Sequence, residues 1–493
     1  MSSLKEKKLI FLCGSQHLYG AKALEQVKKN ANEIVGHLNR SPHIPVSIVF
    51  KKVLTTPEEI TQCCNELNGD PNCLGVLMWM HTFSPAKMWI NGLKRLQQPV
   101  CHLHTQLNAE IPWSSIDMDY MNLHQSAHGD REFAHLLSRM GIARKIVVGH
   151  WSDDNVGRRI GSWSRSAAGW DEMQHLKVAR IGDNMREVAV TEGDKVAAQI
   201  QFGFSVNGFD SDDVGQYIDQ LETKEIDRLI AEYIADYQMD PKLEKGGTLH
   251  TALVEAAKIE LGLQKFLDQG GFKAFTTTFE NLGLLKQLPG ISAQRLMQKG
   301  YGFAAEGDWK TAALLRAMKV MSEGLQKGTS FMEDYTYHFG EKKSLVLGSH
   351  MLEICPSIAQ GQARCEIHPL SIGGKEDPVR LVFNAKTGPG INASLVDMGS
   401  HFRMVVNEVE SVKIEENLPQ LPVARVLLDP RPDFKQAVAS WLRAGGAHHT
   451  VFSLDLKQEH LNDFSTMAKI ECINIDKNSV FDNRDDLSHQ IKS

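Results

Sequence analysis

The 493 residues lack the sequence features that are typical of membrane-spanning and of secreted proteins. No window offers the roughly 18 uninterrupted apolar residues of a membrane span. The first residues, Met1–Lys8, run directly into the apolar segment Leu9–Leu12, which is too short for the core of a signal peptide. Cysteine is scarce, with eight residues and no CxxC pair, so neither a zinc knuckle nor a disulfide framework is predicted. We therefore expect a cytoplasmic protein whose cysteines mostly pack in the core.

A strong charge bias and the common nucleotide and hydrolase motifs are missing as well. The net charge is −6, and no dense block of lysine and arginine occurs, so nucleic acid and anionic membranes are poor candidate partners. The patterns GxGxxG, GxxxxGK[ST], HExxH and GxSxG do not occur, which removes the usual support for dinucleotide, P-loop, zinc-protease and nucleophile-elbow sites. With 42% apolar and 23% charged residues, the composition is that of a globular protein, and the length predicts about three domains, with two as the main competitor.

The first 170 residues alternate short apolar segments with helical patterns, which predicts an α/β domain built on a parallel sheet. The predicted strands are Leu9–Cys13, Val46–Phe50, Leu74–Trp79, Val100–Leu103 and Ile146–His150. The predicted helices are Ala21–Leu38, Pro57–Leu67 and Ala86–Leu96. Thr56 followed by Pro57 is a typical helix start, because a capping hydroxyl precedes a proline in the first turn.

A second α/β domain is predicted over residues 171–330, and a β-rich domain over 331–493. In the second domain we expect strands at Leu176–Arg180, Phe202–Val206 and Lys273–Phe279, and helices at Asp194–Gln201, Lys224–Tyr237, His250–Gln269 and Trp309–Leu325. The third domain has strand-like segments separated by Gly, Pro and Asn turns: Ser344–Gly348, Val379–Asn384, Ile391–Met398 and Phe402–Val412. This pattern favours a barrel or a sandwich, closed by a helix at Phe434–Ala444 and a final strand, helix and strand. The tail after Asp476 is polar, and we expect it to be frayed.

Acidic and histidine residues in the C-terminal half form the strongest chemical signal. Glu306, Glu333 and His350 stand in apolar or glycine-rich surroundings, and His448 and His449 follow a double glycine. Buried carboxylates and imidazoles need partners, and a divalent metal ion is an efficient one. Two carboxylates with two imidazoles suit Mn²⁺, Co²⁺ or Fe²⁺ better than a thiolate-preferring metal. The spacing alone does not decide between a metal site and separate, hydrogen-bonded structural residues.

At these residues the sequence resembles the L-arabinose isomerase family, over nearly the whole chain. The segments that carry the resemblance are Gly14–Gly20, His81–Gly92, Gly182–Val190, Ala274–Glu280, Gly307–Leu315 and Gly445–Thr450. The resemblance implies a metal-dependent aldose–ketose isomerase that interconverts L-arabinose and L-ribulose through an enediolate. It also implies a fold similar to that of L-fucose isomerase, with two Rossmann-like α/β domains and a barrel-like C-terminal domain, assembled as trimers or hexamers with active sites at subunit contacts.

The resemblance also implies roles for individual residues. The metal ligands would be Glu306, Glu333, His350 and His449, holding one Mn²⁺ per subunit, for which Co²⁺ can substitute. Glu306 and Glu333 would in addition be the catalytic acid and base, and His448 would orient its neighbours. The residues expected to contact the sugar are Gln16, Leu18, Phe83, Gln125, His128, Met185, Phe279, Tyr335 and Ile372. If the segment around Gln125 is helical, Gln125 and His128 share one face.

Two other classes remain open. One is a non-catalytic sugar-binding protein with two α/β lobes around a cleft, which metal-dependent turnover would exclude. The other is a metal-assisted hydrolase or aldolase that uses the same ligands. Incubation with a free pentose separates this class from an isomerase, since an isomerase yields a ketose without cleaving a bond of the carbon chain.

Overall fold

A computed structural model describes residues 4–370, 372–416 and 418–479 of the chain. Its contacts divide the chain into two compact units, one of Met1–Asp171 with Asn462–Lys469, the other of Glu172–Leu461 with Ile470–Ser493. None of the helices in the described ranges is long and apolar enough to cross a membrane. Seven of the eight cysteines are buried and all eight are unbridged, as expected of small core residues.

The first unit contains a five-stranded parallel sheet with the order β2-β1-β3-β4-β5. Its strands are β1 (Lys8–Gly14), β2 (Ser47–Leu54), β3 (Cys73–Trp79), β4 (Val100–His104) and β5 (Lys145–Val148). Its helices are α1 (Gly20–Leu38), α2 (Pro57–Asn68), α3 (Ile90–Leu93), α4 (Met118–Leu123), α5 (Arg131–Arg139) and α6 (Asp154–His175), and a π-helical turn, Ser126–Asp130, precedes α5. The order of strands reverses between β1 and β3, and open sheets of this kind bind ligands beside the carboxyl ends of such strands.

All five predicted strands of this unit are confirmed, and most helix predictions hold. Thr56 caps α2, because its Oγ1 accepts a hydrogen bond from the backbone N–H of Glu59 at 3.2 Å. The helix predicted over Ala86–Leu96 is wrong in length: a 3₁₀ turn, Ala86–Trp89, leads into the four-residue α3. The long helix α6 was not predicted, because its sequence mixes glycines and serines, which are poor helix formers, with the apolar positions.

The second unit begins with a four-stranded parallel sheet in the order β10-β9-β6-β7. Its strands are β6 (Lys177–Ile181), β7 (Ser205–Phe209), β9 (Ala274–Thr276) and β10 (Gly302–Ala304), and β8 (Gln238–Met239) belongs to a separate sheet. The helices are α7 (Lys195–Phe202), α8 (Ser211–Ile218), α9 (Thr223–Asp236), α10 (His250–Gly270), α11 (Gly290–Gln298) and α12 (Trp309–Met321). Helix α10 ends at Gly271, whose φ of +70° is the left-handed conformation that a terminating glycine supplies.

A closed barrel of six strands follows in the same unit, in the order β15-β18-β11-β12-β17-β16, with β16 pairing back to β15. Its strands are β11 (Thr329–Phe339), β12 (Ser344–Ser349), β15 (Gly388–Asp397), β16 (Phe402–Val412), β17 (Arg425–Pro430) and β18 (His449–Ser453). Strand β19 (Glu471–Ile475) extends the sheet beside β16, while β13 (Arg364–Ile367) lies between β14 (Val379–Val382) and β8. Two helices follow, α13 (Phe434–Ala444) and α14 (Gln458–Ala468), and the residues of α14 from Asn462 onward belong to the first unit.

The predicted fold class, layered α/β sheets followed by a β-rich barrel, is confirmed. Some boundaries were wrong. Phe202 ends α7, so the strand predicted over Phe202–Val206 starts later, at Ser205, and the strand predicted over Lys273–Phe279 is reduced to β9. Five strands of this unit were not predicted: β8, β10, β11, β13 and β17. The polar tail after Asp476 lies mostly outside the described residues.

Candidate active site

Three neighbouring barrel strands bring three of the predicted ligands to the same end of the barrel. Strand β11 lies between β12 and β18. In the β11–β18 ladder Glu333 pairs with His449, and in the β11–β12 ladder Glu333 pairs with Ser349, the residue before His350. Residues that are up to 116 positions apart along the chain therefore become neighbours through strand register (449 − 333 = 116).

Glu306 approaches the same place from the turn between β10 and α12, in a strained backbone conformation. Its φ is +61°, and Gly307 follows with a φ of +78°. A Cβ at Gly307 would lie 2.5 Å from Cα of Asn184, so this position has room only for glycine. Non-glycine residues with positive φ are uncommon and cost energy, and they cluster at functional sites.

The candidate ligand atoms converge without touching. Oε2 of Glu306 is 3.7 Å from Nε2 of His449, and Oε2 of Glu333 is 3.9 Å from Nε2 of His350. One ligand atom each from Glu306, His350 and His449 lies within 4.8 Å of the others. Both imidazoles are buried, with 2% and 0% of the side chain exposed. Gaps of this size between partly buried carboxylates and buried imidazoles fit a cation with bonds of about 2 Å to each ligand.

Two buried carboxylates that the sequence analysis missed hold these imidazoles. Oε2 of Glu353 lies 2.6 Å from Nδ1 of His350, and Oδ2 of Asp308 lies 3.2 Å from Nδ1 of His449. A carboxylate accepts only, so Nδ1 carries the proton in a neutral ring, and Nε2 keeps its lone pair. Nε2 of His449 is buried and has no hydrogen-bond partner among the described residues. The donor set therefore fits a divalent cation.

The electrostatics of the cluster favour an ionised Glu306. Burial alone would raise its pKa, but the imidazoles of His448, His449 and His350 outweigh burial and hold the pKa of Glu306 below its usual value. Burial would likewise lower the pKa of His350, yet the carboxylate of Glu353 raises it. His448, which lies 3.8 Å from Glu306 and is 38% exposed, is the more accessible histidine of the pair.

Three of the predicted sugar contacts in this unit lie beside the cluster. The backbone N–H of Met185 donates to the carbonyl of Glu306 at 3.0 Å, and the ring of Phe279 stacks on His350 with centroids 6.1 Å apart. Tyr335 is half exposed, and burial together with the charges of Glu333 and Glu306 raises its pKa. Ile372 is partly buried.

The other predicted sugar contacts form a second group in the first unit, beside the carboxyl ends of its strands. Nδ1 of His128 lies 3.1 Å from Oε1 of Gln125, so these two side chains share a face as predicted. The ring of Phe83 stacks on His128 at 5.0 Å. Gln16 follows β1 and is partly buried, whereas Leu18 is 84% exposed.

The layered α/β sheets, the barrel and the buried carboxylate–imidazole cluster together define the chain as an enzyme. Three family models match it in succession, described as the L-arabinose isomerase N-terminal domain over residues 3–175, the central domain over 177–324 and the C-terminal domain over 328–471. The chain belongs to the L-arabinose isomerase family, and it is an aldose–ketose isomerase.

Curated relatives match over nearly the full length. The chain is 59% identical to the L-arabinose isomerase of Flavobacterium johnsoniae over 480 residues, which cover 97% of the chain and 96% of that protein. It is 57% identical to the L-arabinose isomerase of Herpetosiphon aurantiacus and 56% identical to that of Geobacillus stearothermophilus, each over 479 residues, 97% of the chain and 96% of the relative.

Proposed function

We propose that the protein interconverts L-arabinose and L-ribulose in a metal-dependent reaction, with one Mn²⁺ per subunit that Co²⁺ can replace. Glu306, Glu333, His350 and His449 are the ligands in this proposal. The observation that supports it is the fixed orientation of the two buried imidazoles: Glu353 and Asp308 occupy both Nδ1 atoms, and each Nε2 points to a glutamate carboxylate.

The reaction requires two proton movements. Converting the aldose to the ketose takes a proton from C2 and returns one to C1, and it moves the hydroxyl proton of O2 to O1. When bound, the divalent ion supplies a Lewis acid that stabilises the negative charge of the enediolate. In this proposal, Glu306 and Glu333 exchange these protons as base and acid.

The sugar would be oriented by the residues around this cluster. Phe279, stacked on His350 and only 6% exposed, provides an apolar wall that excludes water. Tyr335 offers a hydroxyl beside Glu333. In the first unit, the amides of Gln16 and Gln125 and the imidazole of His128 suit sugar hydroxyls, and Phe83 and Leu18 suit the carbon skeleton. We propose that these residues, together with Met185 and Ile372, form the sugar-binding surfaces.

The assembly and its setting complete the proposal. We propose a homotrimer or homohexamer with active sites completed at subunit contacts. Large exposed apolar side chains support this assembly, such as Trp113, Met118 and Leu18, which are 81%, 66% and 84% exposed. The unbridged cysteines suit a reducing compartment, and we place the enzyme in the cytoplasm. We also propose three domains, 1–170, 171–330 and 331–493, close to the limits of the three matching family models.

A ketose assay with chelated enzyme tests the reaction and its ion. L-Arabinose should yield ketose only after Mn²⁺ or Co²⁺ is restored, and a protein that binds the pentose without turnover would be the non-catalytic alternative. Glu306→Gln and Glu333→Gln should each lower kcat by at least ~10²-fold, since an amide keeps the shape but exchanges no proton. Near-normal kcat in either fully metallated variant contradicts that residue's role.

The adjacent histidines provide a matched pair for the metal assignment. His449→Ala should weaken Mn²⁺ affinity by at least roughly 10–100-fold, and His448→Ala should have a smaller effect, because only His449 is buried with its Nδ1 held by a carboxylate. A calorimetric Mn²⁺ titration of both variants measures the ranking, and the opposite order would show that His448 is the ligand.

A further inference from the structure

A second group of metal-ligand side chains lies in the first unit and takes no part in the proposed reaction. His102 and His104 stand two residues apart on β4, so their side chains project from the same face of the sheet. Both are at the carboxyl end of the strand, where open parallel sheets bind ligands. Two imidazoles in a His-x-His arrangement on a strand can therefore bind the same ligand.

Asp130 completes the group from the turn that precedes α5. Its Oδ1 lies 2.7 Å from Nε2 of His102, and its Oδ2 lies 2.5 Å from Nδ1 of His104. Asp130 is completely buried, His102 is 2% exposed and His104 is 30% exposed. The three ligand atoms all lie within 4.8 Å of one another. A carboxylate that is completely buried needs a nearby positive charge or hydrogen-bond donors, because an unpaired charge is costly away from water.

We propose that His102, His104 and Asp130 bind a divalent transition cation of the Zn²⁺ or Co²⁺ type, separate from the Glu306 cluster. Two nitrogens and one oxygen are ligands that these ions accept, and a water molecule can enter on the exposed side of His104 to complete four-coordination. The charge of +2 on the ion would more than offset the single negative charge of Asp130. Nε2 of His102 and Nδ1 of His104, the two ring atoms that face Asp130, would be the nitrogen ligands.

The site needs only a small adjustment to admit the ion. Ligand atoms around a tetrahedral Zn²⁺, with bonds of about 2.0–2.2 Å, lie about 3.3 Å apart. The carboxylate oxygens of Asp130 would therefore move away from the imidazoles by about 0.6–0.8 Å. Such an ion would join the end of β4 to the start of α5, and so would fix the turn Ser126–Asp130 that follows Gln125.

Metal stoichiometry in full-length variants tests the site. His449→Ala, which removes a ligand of the other cluster, should retain one Zn²⁺ per subunit after dialysis against micromolar Zn²⁺ and elemental analysis. The double variant His449→Ala/His104→Gln should retain none. In the otherwise unchanged protein, His104→Gln should also lose one equivalent. The difference in metal content that His104→Gln causes can be measured whether or not the Glu306 cluster binds metal. A negative result would therefore contradict this second site without contradicting the proposed function.

Two controls keep the result interpretable. In His104→Gln the new amide can still hydrogen-bond to Asp130, and an unchanged far-UV circular dichroism spectrum shows that the unit is folded. His43→Gln removes another histidine, one that pairs with a single carboxylate, Asp154, at 2.8 Å, and this variant should keep its full metal content.

A Co²⁺ titration followed by visible absorption should show at least tenfold weaker binding in His104→Gln. Equal metal content and equal Co²⁺ affinity with and without His104 would overturn the proposal, leaving a proton on His104 as the counter-charge of Asp130.

Discussion

Glu306 combines a side chain that the proposed reaction needs with a backbone conformation that only glycine adopts readily. Its φ is +61°, and the exposed Glu192, which ends a nearby 3₁₀ turn, has an ordinary φ of −70°. Replacing each residue by alanine and by glycine removes the carboxylate in all four variants. Within each pair, only the Cβ differs, so the comparison isolates the backbone.

The expected difference changes sign between the two positions. A Cβ in the left-handed region costs roughly 1–2 kcal/mol. Against this, glycine costs about 0.4–1 kcal/mol relative to alanine, because it has more freedom in the unfolded chain. At 306 glycine should therefore be the more stable variant by about 0.5–1 kcal/mol, while at 192 alanine should be the more stable by about 0.4–1 kcal/mol.

Differential scanning calorimetry of metal-free protein, at one protein concentration and with a chelator present, measures both pairs. A difference of this size should shift Tm by roughly 1–3 °C in a unit this large. Glu306→Gly should melt above Glu306→Ala, with the order reversed at Glu192. If Glu306→Ala melts at or above Glu306→Gly while the Glu192 pair behaves normally, the turn at Glu306 stores no strain and the reasoning fails.

Three further outcomes are expected. Glu353→Gln should weaken Mn²⁺ binding by about 10–100-fold in a calorimetric titration, because the charge that holds His350 is lost, and unchanged affinity would show that this contact does not orient the ligand. Mn²⁺ at a hundredfold excess over its Kd should stabilise the folded protein by roughly 2.7 kcal/mol, seen as a higher Tm, and an unchanged Tm would contradict a metal site in the folded state. The third concerns pH. Burial, aided by the neighbouring His124, lowers the pKa of His81 to about 3, so its contribution to stability is complete above pH ~6.5 and is lost as pH falls towards 3. Between pH 7 and 5 this loss is about 2 kcal/mol; His81→Gln should show a smaller fall in Tm over that interval than the parent, and an equal fall would refute the assignment.

The parts of the fold that sequence could predict are those whose pattern is local. The strands β1 and β3 are continuous apolar segments buried on both faces. The start of α2 is marked in the sequence by the capping residue Thr56 and by Pro57. Strand β11 was missed because its second half, from Tyr335 to Phe339, is exposed and mixes aromatic with polar residues. Its pairing with β12 and β18, which is not local, defines it as a strand.

The candidate site could be proposed in part because its members carry recognisable chemistry in apolar surroundings. The carboxylates of Asp308 and Glu353 could not be found in this way. In the sequence, Asp308 resembles the N-cap of the helix that begins at Trp309, and its side chain does accept a hydrogen bond from the backbone N–H of Thr311. Its contact with His449 joins residues 141 positions apart, which no local pattern reveals. Lys310 is buried beside it and lies 3.4 Å from Asp308.

Asp308 and Glu353 therefore act on similar imidazoles through different physical settings. Glu353 accepts from His350 and from the backbone N–H of Leu352. Asp308 accepts from His449, caps α12 and faces the ammonium of Lys310, and together these interactions hold its pKa below the usual value despite burial. The orientation of His449 is thus tied to the start of a helix and to a buried charge pair, so removing Asp308 disturbs folding and metal binding together. Glu353 makes fewer interactions that stabilise the fold. The effect of its substitution on metal affinity therefore measures more directly how much a buried carboxylate contributes by orienting an imidazole ligand.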